Sequence, residues 1–99
     1  IDLNVKSSAW SVSELTQRVK NLLEGHFDQV SIEGEISDFT AASSGHWYFT
    51  LKDSDSQVRC AMFRSTNAKL RFRPSRGDHV QIRARVSLYT SRGEFQLIA

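Results

Sequence analysis

The sequence predicts a small, mainly β domain: a five-stranded Greek-key barrel with an N-terminal α-helix and a short helix between strands 3 and 4. Three observations carry that expectation. Hydrophobic periodicity switches once, from helical spacing before Gly25 to alternation after it. Five short alternating runs then follow, divided by clusters of Ser, Thr, Asp and Gly. The chain has 99 residues, enough to bury one core and too few for two.

The helix begins at a capping box. Ser11 stands as N-cap, Glu14 follows three residues later, and Trp10 is placed to pack on Leu15 as a hydrophobic staple. Val12, Leu15, Val19, Leu22 and Leu23 then form one apolar stripe, Glu14 and Arg18 an i, i+4 pair, and Gly25 a ready C′ residue. The stripe predicts a helix packed on a core. Residues 1–25 read as an extension plus this helix, and 26–99 as the barrel of a single domain.

Val30, Ile32, Gly34 and Ile36 alternate with Ser31, Glu33, Glu35 and Ser37, which is a first strand with one wet face. Gly34 in its middle predicts a sharp bend or bulge at a barrel corner. A loop over Ala41 to Gly45 leads to a second strand, His46 to Lys52, and the turn Asp53 to Ser56 to a third, Gln57 to Phe63. Ser65 to Phe72 reads as the short helix, with a turn over Pro74 to Asp78. The fourth strand alternates most cleanly, from Val80 to Tyr89, and Thr90 to Gly93 turns into a fifth from Glu94. A helix after the third strand favours the OB-fold over an SH3-like barrel. OB-folds bind oligonucleotides on their second and third strands and the flanking loops.

Alternation fixes which way each side chain points. In the second strand, burying Phe49 and Leu51 also buries Trp47 and turns out His46, Tyr48, Thr50 and Lys52. The opposite parity would bury Lys52, at high cost. In the third strand Val58, Cys60 and Met62 go inward, leaving Arg59, Ala61 and Phe63 outside; in the fourth, Arg83, Arg85 and Tyr89 face out. Aromatics interleaved with cations suit single-stranded nucleic acid, whose bases stack on π-faces while the backbone meets cations.

Net charge is +2, but unevenly spread. Residues 1–58 hold 4 basic and 9 acidic side chains, whereas residues 59–99 hold 9 basic against Asp78 and Glu94. Eight of those nine are arginines, whose planar fork suits phosphate. The nucleic-acid-binding candidates are therefore His46, Tyr48, Lys52, Arg59, Phe63, Arg64, Arg71, Arg73, Arg83, Arg85, Tyr89 and Arg92.

Catalytic and metal readings find little support. Glu33 and Glu35 share the wet face of the first strand, a solubility device. Asp53 and Asp55 have calcium-loop spacing without the loop's glycine or terminal glutamate, and turn chemistry accounts for them. The lone Cys60 forms no internal disulfide and has the parity of an inert core residue; with no oxidising compartment required, the cytoplasm is the expected setting. No cofactor or metal is expected, no phosphate loop or nucleophile elbow is present, and no apolar run predicts a membrane span. The apolar ending Phe95 to Ala99 reads as a cut within a longer chain.

The segments VSELTQRVKNLLE, VSIEGEISDFT, SGHWYFTLKDSDSQVRCAMFR, LRFRPSRGDHV and VSLYTSRGEFQLI, from Val12 onward, resemble in order the N-terminal domain of the large subunit of bacterial exodeoxyribonuclease VII. That resemblance implies an OB-fold gripping single-stranded DNA. It also implies a parent enzyme that hydrolyses such DNA from either end to oligonucleotides, in complex with copies of a small subunit. The catalytic residues would lie in a following domain, so this chain would bind and not cut. GHWYFTLKD is also similar to the second strand of anticodon-binding OB domains of class II aminoacyl-tRNA synthetases, where an outward aromatic at the position of Tyr48 stacks on a base and an outward polar residue matches Arg59. The alternative readings are thus a tRNA- or RNA-reading module and a module that docks the small subunit.

Overall fold

The computed structural model describes residues 8–99; the first part of the expected 1–25 extension lies outside the described residues. The elements run α1 (Val12–His26), β1 (Val30–Ala41), β2 (Trp47–Lys52), β3 (Gln57–Met62), α2 (Arg64–Asn67), β4 (His79–Tyr89) and β5 (Glu94–Ile98). The strands close into a barrel in the order β1-β2-β3-β5-β4. Among them only β3 and β5 pair in parallel. Closure gives each of these strands a partner on both sides. This is the mainly β, five-stranded OB-fold architecture that the pattern predicts, including the helix between strands 3 and 4.

β1 makes the closure possible by serving two partners. Its first half pairs with β4 and its second half with β2, and Glu35 sits opposite both His79 and Lys52. Gly34 lies at this crossover. A Cβ there would come within 2.8 Å of the Lys52 carbonyl oxygen and 3.0 Å of Leu51 Cγ. The bend expected of Gly34 is therefore a close approach of two backbones, which only glycine allows.

A bulge follows at once. The register runs from Ile36 opposite Leu51 to Asp38 opposite Thr50, skipping Ser37. One extra residue reverses the alternation. Ile32 and Ile36 point inward before the bulge, while after it Phe39 packs on the core and Asp38 turns outward. The reversal explains why β1 reaches Ala41 when strict alternation predicts an end near Ser37.

Ile36, Phe49, Leu51, Cys60, Met62, Ala84 and Leu97 form the buried core, which agrees with the expected parity of the second and third strands. Trp47 packs against this core as its parity predicts, short of full burial. It is half-buried, edge-on to Phe39 at 5.3 Å at the margin of the core. Phe39 in turn stacks on Phe49 at 6.3 Å between centroids. The second helix is shorter than the expected Ser65 to Phe72. After Asn67 the chain tightens into i→i+3 turns, Lys69 N–H to Thr66 carbonyl and Leu70 N–H to Asn67 carbonyl, and Pro74 lies ahead.

The first helix corrects two expectations. Its N-terminus is capped as predicted, with Ser11 Oγ accepting from the Glu14 amide at 3.0 Å. Gly25, however, lies inside the helix, which continues to His26, and Phe27 closes it by donating to the Leu23 carbonyl. The apolar stripe does not enter the core either. No α1 residue is buried, and Trp10, Val12, Leu15, Val19 and Leu22 stay exposed. A closed barrel fills its interior with its own inward side chains. The helix docks by its last turn instead, where Glu24 Oε2 accepts from Ser87 Oγ at 2.6 Å and the Phe27 carbonyl accepts from the Val86 amide at 2.9 Å. Trp10 stacks under the Arg18 guanidinium at 4.2 Å, and Arg18 is not ion-paired to Glu14.

Two outcomes test this packing. Gly34→Ala forces a backbone clash and should lower stability by about 1–3 kcal/mol in urea unfolding, with the transition still cooperative. Burial pushes the Cys60 thiol up to about 12. At pH 8 it should therefore resist an aromatic disulfide reagent until denaturant unfolds the chain.

Candidate nucleic-acid interface

The strand registers place side chains in rows across the outer face. One row runs Tyr48, Ala61, Ile98, Arg85; the next runs Thr50, Arg59, Gln96, Ser87. Between the β2 and β3 end of these rows and the turn after β4 lies an open cleft of about 550 Å³. Tyr48 and Arg59 form one wall, Tyr89 and Arg92 the other, and Glu94, Phe95 and Gln96 of β5 the floor and rim. Tyr48 and Tyr89 are 36% and 49% exposed on this face, so two aromatic faces are available to a ligand; Phe95, opposite Leu88 and in step with buried Leu97, turns toward the end of the barrel beside Ile32, Leu51 and Val58 and meets the cleft only at its edge.

Asp38 organises the Arg59 wall. Because the bulge at Ser37 interrupts the ladder, Asp38 Oδ1 accepts the Thr50 amide at 2.8 Å. Arg59 Nη1 reaches both oxygens of the same carboxylate at 3.2 Å and donates to Thr50 Oγ1 at 2.6 Å. Thr50 faces outward as expected, yet it is buried beneath this network. Lys52 is likewise engaged, 3.6 Å from Glu35, and Glu33 lies 3.6 Å from His79.

His46, Phe63 and Arg64 gather at the opposite end of β2, where their contacts are largely structural. His46 Nδ1 accepts the Arg64 amide at 2.9 Å, and its ring meets Phe63 edge-on at 5.2 Å. The imidazole thus serves the start of α2, and only Nε2 remains for a ligand. Buried Asn67 donates from Nδ2 to the carbonyls of Gly45 and Met62, at 2.9 and 3.3 Å. Gly45, at φ +93°, lies under the Arg64 side chain, so the loop between β1 and β2 is pinned against α2.

The remaining arginines are dispersed. Arg73 covers the Phe39 ring at 5.5 Å, and Arg71 is exposed two residues before it. Arg83 and Arg85 do face outward, but they line a separate depression with Asp28, Gln29, Ile98 and Ala99. Ser87, between Arg85 and Tyr89 on the same face, is covered by α1. Of the three outward β4 residues, Tyr89 lines the cleft with Tyr48, whereas Arg83 and Arg85 line the other depression. Asp53 acts within its own turn. Its Oδ1 accepts the amides of Asp55 and Ser56, which hold its carboxyl below the ordinary aspartate range.

Four cleft or supporting residues escape a reading by alternation. Phe95, Glu94 and Gln96 sit on a strand of five residues, too short to reveal parity at its first position. Asp38 follows the bulge that inverts the pattern.

Comparison with known proteins agrees with this architecture. A family model described as an OB-fold nucleic acid binding domain matches residues 10–99. Among solved structures, a protein described as a putative aspartyl-tRNA synthetase from Leishmania major Friedlin superposes on 95% of this chain with a TM-score of 0.56 and 16% sequence identity. The chain spans 21% of that protein's length, and the likeness is one of fold.

Tyr48 and Phe49 are neighbours with opposite duties. Phe49→Ala should destabilise the barrel by about 3–5 kcal/mol, while Tyr48→Ala should stay within about 1 kcal/mol of the parent in thermal or urea unfolding.

Proposed function

The chain belongs to the OB-fold nucleic acid binding domains, and on that premise we propose that it grips single-stranded DNA as the N-terminal domain of an exodeoxyribonuclease VII large subunit. In that reading a catalytic domain elsewhere in a cytoplasmic parent enzyme, assembled with its small subunit, hydrolyses the strand that this domain delivers. The supporting observation is the cleft itself: Tyr48 and Tyr89 exposed around one opening that Arg59 and Arg92 also line. Unstacked bases gain about 1–3 kcal/mol each on such aromatic faces, and cations follow the backbone. An intact duplex keeps its bases stacked against one another and has no use for these faces.

The order of matching sequence segments favours the exonuclease reading over other nucleic-acid ligands. One observation favours a second reading, RNA recognition of the anticodon-binding kind: the structural neighbour described as an aspartyl-tRNA synthetase. The two differ at the 2′-hydroxyl, the group that lets a protein tell RNA from DNA.

Titration with labelled oligo(dT), oligo(dA) and oligo(rU) at two salt concentrations separates them. The DNA reading expects both deoxy strands to bind, affinity to fall as salt rises, and oligo(rU) to bind about tenfold or more weakly than oligo(dT). A preference for oligo(rU) would move the assignment to RNA. Absence of binding to all three at low salt removes both readings.

A further inference from the structure

We infer that Asp38 is a positioning residue that converts Arg59 from a phosphate clamp into a charge-neutralised, oriented donor for a base edge. The inference rests on the single-strand reading above and goes beyond it, because it assigns the two cleft arginines different work.

Three features of the geometry carry it. Asp38 is tied into the barrel backbone: its Oδ1 accepts the Thr50 amide at 2.8 Å, where the bulge at Ser37 removes the ordinary ladder partner. The carboxylate therefore does not swing away cheaply to release its arginine. Arg59 Nη1 is held by both Asp38 oxygens at 3.2 Å and by Thr50 Oγ1 at 2.6 Å. Nε and Nη2 make no hydrogen bond to the described residues, and the side chain lines the cleft beside Tyr48. A planar fork held at Nη1 by three acceptors leaves its Nε and Nη2 edge free but restricted, so less orientational freedom is lost when a base carbonyl or ring nitrogen accepts from it.

Charge points the same way. A phosphate contact by a free cation releases counterions and steepens the salt dependence by about 0.7 per phosphate on single strands. Arg59 already faces a fixed carboxylate, so the pair presents no net charge to the backbone. Arg92 lines the same cleft and has no carboxylate within ion-pair distance among the described residues. It is the cleft's phosphate contact.

Salt-dependent anisotropy titrations of a labelled 12-mer oligo(dT) distinguish these roles. Arg92→Ala should make the log affinity against log salt slope shallower by about 0.7. Asp38→Asn keeps an oxygen for the Thr50 amide but frees Arg59, and should steepen the slope by about 0.7. The double variant Asp38→Asn with Arg59→Gln should return the slope to the parent value while binding about tenfold more weakly than the parent. An unchanged slope in Asp38→Asn, or a double variant shallower than the parent by a full phosphate contact, overturns the inference while leaving single-strand binding intact. No binding by the parent chain overturns the single-strand reading and this inference together. A measurement free of substitutions guards against misfolding of the variants: guanidinium resonances of Arg59 with slowed rotation should persist when oligo(dT) is added. Their loss on binding shows that the Asp38 pair opens, and contradicts the assignment.

Discussion

Everything on the outer face follows from how β1 divides its hydrogen bonds between β4 and β2. One strand must close the barrel from both sides, so it bends where Gly34 lets the Lys52 carbonyl approach and then bulges at Ser37. The bend closes the ring, and the bulge inverts the side-chain alternation. Phe39 is thereby turned in to extend the core with Phe49, and Asp38 is turned out onto the outer face. Fold and site share one local irregularity.

The consequences propagate by short-range contacts. Asp38 replaces the missing ladder bond to Thr50 and, with Thr50, fixes Arg59. Tyr48, two residues before Thr50 on the same face, stands at the margin of the cleft. Just before β2, His46 and, through Gly45, Asn67 tie the β1–β2 loop to α2, which gives the strand a firm start. The ion pairs on this face are about half exposed, so their value lies in placing side chains rather than in stability.

Much of this was legible from period alone, because a strand with one buried face records its orientation in sequence. Phe49, Leu51, Cys60 and Met62 point inward as their alternation requires, and Tyr48 and Arg59 outward. The misses have physical causes. Alternation cannot register a bulge, which hid Asp38 and the last third of β1. An amphipathic stripe shows that a helix has an apolar face without showing what covers it, and α1 docks instead through Glu24 and Phe27. A basic count along the chain does not give proximity: Arg83 and Arg85 share β4 with Tyr89, yet they line a depression with Asp28 and Gln29 and not the cleft.

We propose that one strand of nucleic acid lies across β2, β3 and β5 between Tyr48 and the turn after β4. Amide chemical-shift mapping of the isotope-labelled chain with oligo(dT) tests it most directly. The largest changes should fall on Tyr48, Arg59, Tyr89, Arg92, Phe95 and Gln96, with Arg83, Arg85 and α1 little affected. Changes centred on Arg83 and Arg85, or on the exposed stripe of α1, would contradict it.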